Sequence, residues 1–464
     1  MPKARSILFF LFSLAILFFD FYSDGLHAAG QYFWDDHQIT LESFIIGRMV
    51  KSVRDGMFSA GGLTGLVGPD AVPPDIEHQN YRFQTQAYLN SLPFQTYSIY
   101  KSQSGVQGIM YSALNAILPF SPADKLSILH AIASLLSALV LAWISYWFYR
   151  EFGAITGAVV LLSTALSQWL VVFAHSLWWS TWAFYFPMAV LMYYLARRQR
   201  EAKHPLLKFG ALVFAVVLVK CLFNGFEYIT TALIMMTVPL AYICVREKES
   251  MRSFLTSLST AALASFLAVL TSATVLCIQI ATVEGSLLSG VNQILFSLLR
   301  RSYGNPQDFS PDYTASLTAN PIDVVATYLR GIYLDLDQYF RVPSNFITNY
   351  FLQFRYLYLI LIFALAAALL IYLVRKTPDD VQRRSLALAA ATGFSLLAPL
   401  SWLIIFKAHS YIHTFMNNIV WQMPFTIYGF AVCGLVLQTL LTSKRKTGER
   451  EFRRRAQSNP QDGV

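Results

Sequence analysis

Apolar runs of about 18–25 residues recur along this chain, beginning with "ILFFLFSLAILFF" just after Lys3 and Arg5. Lipid offers no partner to a free backbone N–H or C=O. A segment that crosses it must therefore be a helix or part of a closed barrel. Barrel strands are shorter and alternate polar with apolar residues. The runs here are continuous, so the chain reads as an all-α, polytopic bundle of transmembrane helices. Composition agrees: 55% of residues are hydrophobic and 13% charged, where an ordinary soluble chain carries about a quarter charged residues.

About ten spans are expected, near 7–23, 127–149, 153–174, 178–196, 206–223, 227–245, 254–283, 351–374, 385–406 and 417–442. The first run resembles a signal peptide, with "HAA" downstream as a cleavage site, but the many later spans and Asp20 and Asp24 favour an uncleaved first span. The net charge of +9 is carried largely by "RRQREAKH", "REKESMR", "RKTPDDVQRR" and the tail "SKRKTGEREFRRR". With the N-terminus inside, all four fall on the cytoplasmic side, as the positive-inside rule requires. The charge is thus a topology signal and an attraction to anionic lipid, not a nucleic-acid surface. Both termini are expected in the cytoplasm and the protein in the plasma (inner) membrane. Cys221, Cys244, Cys277 and Cys433 fall inside apolar runs without close spacing and read as small core residues.

The whole chain is expected to form one transmembrane domain with a basic tail at 443–464. Two long segments, 24–126 and 284–350, face outward. Within 41–53, Leu41, Ile45, Ile46, Met49, Val50 and Val53 lie on one side of a helix and Arg48, Lys51 and Arg54 opposite, with Thr40 as N-cap. This predicts an interfacial amphipathic helix. Phe44 and Glu42 break its pattern. "GMFSAGGLTGLVGPD" reads as a glycine-rich turn region. "GVQGIMYSALNAILPF" and "SLLSGVNQILFSLLRR" are apolar but shorter than a span, so they are expected to be interfacial or re-entrant.

Four features carry possible chemistry. Asp35 and Asp36, in "QYFWDDHQ", follow the first span at the outer lipid–water boundary. A carboxylate there can take the proton of an attacking hydroxyl, and a nearby helix N-terminus favours its ionised form; the plainer reading is a helix cap or a solvated loop. In "KCLFNGFEYI", Lys220 near the end of a span and Glu227 in a short outer turn form either a structural pair or part of a site. In "KAHSYIHTFMNN", His409 and His413 share a face if helical. They lack an evident third metal ligand, and with Lys407 they suit an anionic group near the N-terminus of the last helix. Finally Arg300, Arg301, Arg330 and Arg341 lie in the second outer segment, and their guanidinium forks match phosphate oxygens.

The first span, the outer loop opening on "FWDD", its amphipathic helices, the many further spans and the second long outer segment together resemble the GT-C superfamily of integral membrane glycosyltransferases. The chain carries neither the large C-terminal soluble domain of oligosaccharyltransferases nor a MIR-type module. The resemblance implies a polyprenyl-phosphate sugar as donor, a glycan or glycolipid acceptor, transfer on the outer face, and an acidic catalytic residue at Asp36 or Asp35. It implies an inverting displacement in which polyprenyl phosphate leaves, stabilised by Arg300, Arg301, Lys407, His409 and His413. Glu42, Lys220 and Glu227 would support the site. No metal or other cofactor is expected. A flippase for lipid-linked sugars, a polysaccharide polymerase and a non-catalytic membrane subunit are the competing readings.

Overall fold

Residues 3–69, 77–198, 206–335 and 352–457 are described by the computed structural model, except for the side chains of 3, 31–32, 35–40, 77–80, 198 and 443–457. Arg341 therefore lies outside the described residues, as do the side chains of Asp35 and Asp36. The described chain is nearly all helix. In order the helices are α1 (Lys3–Ser23), α2 (Gln31–Asp55), α3 (Glu77–Asn90), α4 (Val106–Ile117), α5 (Pro122–Phe152), α6 (Ala154–Ala165), α7 (Gln168–His175), α8 (Thr181–Arg198), α9 (Leu206–Asn224) and α10 (Ile229–Arg246). They continue with α11 (Met251–Glu284), α12 (Leu287–Arg301), α13 (Thr314–Thr318), α14 (Pro321–Leu329), α15 (Tyr356–Val374), α16 (Asp379–Ser395), α17 (Leu397–Ile405), α18 (Lys407–Ile412) and α19 (Phe425–Gln457).

Among the described residues, eight helices are long and apolar enough to cross a membrane: α1, α5, α9, α10, α11, α15, α16 with α17, and the first part of α19. The pair α6–α7, bent by 66°, would make a ninth. This is the build of a multi-pass membrane protein. Helix ends follow local chemistry. At the start of α5, Ser121 caps the N–H of Asp124 at 3.3 Å, with Pro122 in the first turn. Its end falls at Gly153, whose φ of 117° only glycine adopts easily.

The loops gather at two ends. At one, Glu151 accepts from Tyr242 (2.7 Å) and pairs with Arg246 (3.0 Å), while Arg384 reaches the Glu151 carbonyl at 3.4 Å. Helix α11 runs about 50 Å from there to the other end. There Gln279 donates to the carbonyls of Gly61 and Ser104, both at 3.0 Å, and Glu284 pairs with Lys101. The two long segments thus pack on one another at one end of the bundle.

The first of these segments departs from the sequence reading in three ways. Helix α2 begins at Gln31, capped by Gly30, and not at Thr40, so Asp35 and Asp36 lie within it. It buries Ile45, Ile46, Met49 and Val50 of its expected apolar face, but not the whole of that face, and it buries one residue of the opposite one. Arg48 is wholly buried, whereas Val53 is exposed. Burial is affordable because the guanidinium donates to the carbonyls of Gly56 (3.0 Å), Met57 (2.6 Å) and Ser59 (2.5 Å), which a turn leaves without helical partners. The glycine-rich stretch is partly a strand: β1 (Gly65–Gly68) pairs antiparallel with β2 (Thr96–Ile99), Gly65 opposite Ile99. Gly47 is required where α2 crosses β1, because a Cβ there would sit 2.2 Å from the Gly65 carbonyl oxygen. β3 (Ile332–Asp335) likewise pairs antiparallel with β4 (Gln353–Arg355).

Helices α4 and α12 are built inside out. In α4 the buried positions include Gln107, Ser112 and Asn115 while Ile117 is exposed. In α12 the buried residues are Gly290, Ser297 and Arg301, while Leu288, Leu295 and Leu299 are exposed. A polar face turned into the protein and an apolar face turned out is the signature of a helix against lipid.

Candidate functional site

At the end of the bundle where the long segments pack, a cavity of about 320 Å³ opens between α2, α3, α12, α18, the residue that follows β2 and the turns that precede α8, α10 and α13. Its polar wall is Arg300, Arg301, Glu227, His409 and His413; its aromatic wall includes Phe44, Tyr100 and Trp178. Each contributing segment was expected to be an outer one from the placement of Lys and Arg.

The two arginines end α12 in consecutive positions and meet different surroundings. Arg301 is buried; its Nη1 lies 2.7 Å from Glu227 Oε1 and its Nη2 donates to the Tyr100 hydroxyl at 3.2 Å. Burial alone would lower its pKa, but Glu227 and Tyr100 more than offset this and hold it firmly charged. Arg300 donates to the Tyr313 hydroxyl at 3.3 Å, with its guanidinium 5.1 Å from that ring. No carboxylate pairs with Arg300 among the described residues.

Glu227 stands in the turn between α9 and α10. Asn224 ends α9 and Gly225 turns the chain at φ 56°. Lys220 fixes that turn, its Nζ donating to the carbonyls of Gly225 (2.9 Å) and Glu227 (2.6 Å). The Lys220–Glu227 contact is therefore to the backbone, not the carboxylate, and Lys220 does not line the cavity. It positions Glu227.

His409 lies in α18 and His413 caps it, so the rings do face one another, centroids 4.5 Å apart. Burial, helped by Arg301, Arg300 and the neighbouring imidazole, lowers His409 well below the usual histidine range. His413 falls to about 4, chiefly through burial, despite the opposing effect of Glu227. Both rings are neutral near pH 7. With two arginines and one glutamate among its described side chains, that part of the cavity is net cationic.

Besides Lys220, two expected members are elsewhere. Lys407 is buried beneath the site, its Nζ donating to the carbonyls of Leu317 (2.7 Å) and Ala319 (2.6 Å), 4.9 Å from the Tyr303 ring centre. It does not stand before the last long helix, which begins only at Phe425. Glu42 is buried on another side of α2. Its Oε1 lies 2.9 Å from His130 Nε2 and its Oε2 accepts from the Leu177 N–H at 3.3 Å. Asp35 and Asp36 precede the cavity residue Leu41 by six and five positions in α2, roughly 8–9 Å along the helix axis. Among the described residues no three His, Cys, Asp or Glu side chains gather as a metal site needs.

A second, apolar groove of about 190 Å³ adjoins the first. It lies between α10, α11 and α12, lined by Ile229, Val269, Ala273, Leu276, Ile294 and Leu298, and Arg301 belongs to both. An anionic head held at the arginines can thus continue into an apolar chain. No protein-family model matches the chain, and no curated protein or solved structure matches it either. The site must be read from its own chemistry.

Sequence reasoning missed the aromatic wall. The Phe44 ring packs at a tilt against Tyr100 (centroids 4.9 Å apart) and Trp178 (5.3 Å). Its one visible signal was an aromatic ring out of place among basic residues of a helix. Trp178 and Trp179, a tryptophan pair beside a short loop, were a second signal. Nothing in the sequence singles out Tyr100 or Tyr313.

Proposed function

We propose that this chain is a membrane glycosyltransferase that moves a sugar from a polyprenyl-phosphate donor to an acceptor hydroxyl on the outer face of the membrane. One observation carries the reading: Arg301 is shared between a net cationic, aromatic-walled cavity and an apolar groove. A lipid phosphate bearing a sugar has those three parts, with the phosphate between the sugar and the apolar chain. Arg300, free of a carboxylate partner among the described residues, is the natural contact for the phosphate. The neutral histidines can donate to its oxygens without adding charge, and the aromatic wall suits the apolar face of a sugar ring.

In this reading Asp36 or Asp35 takes the proton of the acceptor hydroxyl as its oxygen attacks the anomeric carbon. The bond from that carbon to the phosphate oxygen breaks with inversion. The electron pair leaves on polyprenyl phosphate, whose charge the arginines stabilise. Arg301, already offset by Glu227, holds the geometry. The orientation, with both termini in the cytoplasm and the cavity outside, rests on the positive-inside pattern.

Purified protein in detergent, where no membrane sides exist, tests the reading with labelled donor and a crude envelope acceptor fraction. Release of polyprenyl phosphate and labelling of the acceptor are expected. Asp36→Asn or Asp35→Asn should lower turnover by about 10²–10⁴-fold. Bound donor that stays intact across acceptor fractions, together with donor flipping in proteoliposomes, would make the protein a transporter instead.

A further inference from the structure

Glu227 presents a buried carboxylate that its surroundings do not satisfy. It is 7% exposed and lines the polar cavity. Oε1 is held by Arg301, but Oε2 has no hydrogen bond. The closest candidate, His409 Nε2, is 3.8 Å away, too far for one. Lys220, the other nearby cation, is committed to the backbone carbonyls of the same turn. A buried ionised oxygen without a donor is costly and asks for an explanation. The carboxylate turns easily about its last bond, so it can present an oxygen to the cavity.

The cavity restricts the missing donor. Arg300 and Arg301 disfavour a cationic group there, which leaves an uncharged O–H or N–H. We infer that Glu227 reads the sugar, accepting a hydrogen bond from the hydroxyl on carbon 2 of a sugar whose anomeric phosphate lies on the arginine pair. The inference rests on the cavity being a site for a lipid-phosphate-linked sugar. The position on the ring follows from Arg301. That residue holds Glu227 with one nitrogen and stands beside the bound phosphate. Of the ring hydroxyls, the one on carbon 2 is nearest the anomeric phosphate, so a carboxylate that shares Arg301 with the phosphate meets it first. The rings of Phe44 and Tyr100 in the same cavity take the apolar face of the same sugar. Glu227 is then a specificity-determining residue, and a hydrogen bond to carbon 2 that tightens as positive charge develops on the ring also favours transfer.

Equilibrium binding to the purified full chain tests this. Five lipids with one short polyprenyl chain are compared: the alcohol, the phosphate, glucosyl phosphate, mannosyl phosphate, and the 2-deoxyhexosyl phosphate common to both sugars. At least one hexosyl lipid should bind about 10–100-fold tighter than the 2-deoxy compound, the strength of a hydrogen bond to a charged acceptor. In Glu227→Gln that ratio should collapse toward about threefold or less. Plain lipid phosphate should bind the variant at least as tightly, because a negative charge beside Arg301 is gone. Equal binding of the hexosyl and 2-deoxy lipids by the unaltered protein, with phosphate still required, overturns the role of Glu227 and leaves the phosphate site standing. A uniform weakening of every lipid in Glu227→Gln marks a merely structural residue and overturns it too. If the alcohol binds as well as the phosphate, the underlying reading of the cavity fails. Should Glu227→Gln not fold, the comparison of lipids on the unaltered protein decides alone.

Discussion

Breaking the buried Arg301–Glu227 pair from either side should cost this protein more stability than other single changes at the cavity. Arg301→Gln strips the partner from Glu227 Oε1, at 2.7 Å, in a residue whose other oxygen is already without a hydrogen bond. The carboxylate is then buried and uncompensated, a situation that typically costs about 3–5 kcal/mol. The weak hydrogen bond to Tyr100, at 3.2 Å, adds little. Glu227→Gln leaves the converse, a buried guanidinium with Tyr100 as its main partner, at a similar cost. The double variant carries two neutral amides that can bond each other, so it should recover much of the loss. A coupling of about 2–4 kcal/mol is expected. Thermal unfolding of all four proteins in one detergent, with denaturant unfolding where reversible, supplies the cycle. Arg300→Gln is the control. It loses only contacts to Tyr313 and an aromatic face, and should cost under about 1 kcal/mol, while weakening lipid-phosphate binding. Single changes at Arg301 and Glu227 that are each nearly neutral and add without coupling would refute the pairing. A larger stability loss at Arg300 than at Arg301 would refute the division of labour between them.

Three further outcomes are expected. Lys407→Met should lower stability by about 1.5–3 kcal/mol, the value of hydrogen bonds from a charged donor to the Leu317 and Ala319 carbonyls, with lipid-phosphate affinity changed less than threefold in a binding titration. His413 titrates near 4 when folded and near 6.5 when unfolded. The unfolded chain therefore binds the extra proton between those values, so stability is full above pH 6.5 and falls by up to about 3 kcal/mol toward pH 4. Unfolding curves of the parent and of His413→Gln across that range should converge as the pH drops. Ala273→Phe, which fills the apolar groove shared with Arg301, should weaken a polyprenyl phosphate about tenfold, as lost burial of a few methylenes implies, yet leave binding of a short-chain, water-soluble phosphate unchanged when both are titrated.

The class of structure was legible because it rests on local properties. A run of apolar residues long enough for lipid can satisfy its backbone only as a helix, so the eight long apolar helices needed no tertiary information, whereas the break at 66° within the expected span 153–174 did. The inside-out faces of α4 and α12 were foreshadowed by apolar stretches too short to cross. Several members of the cavity were also visible as residues out of place: Arg300 and Arg301 at the end of an apolar stretch, Glu227 in a tight turn, two histidines four apart. What made each conspicuous was the cost of placing a polar group near lipid, and that cost is written in the sequence.

Which of these residues meet was decided only by packing. Arg48 looked like a solvated face until the carbonyls of residues 56–59 closed around it. Lys407 and His409 are two positions apart, yet one bonds carbonyls beneath the cavity and the other lines it. Lys220 and Glu227 are two turns apart and meet, but through a backbone carbonyl. Arg300 and Arg301 are neighbours with the same side chain, and only the arrival of a turn whose Glu227 lies 74 residues before Arg301 gives one a carboxylate partner and not the other. Burial and charge pairing are sums over everything within a few ångströms, and most of those atoms come from distant parts of the chain. Periodicity reports what one segment can do alone; the division between a structural and a free charge exists only where segments meet.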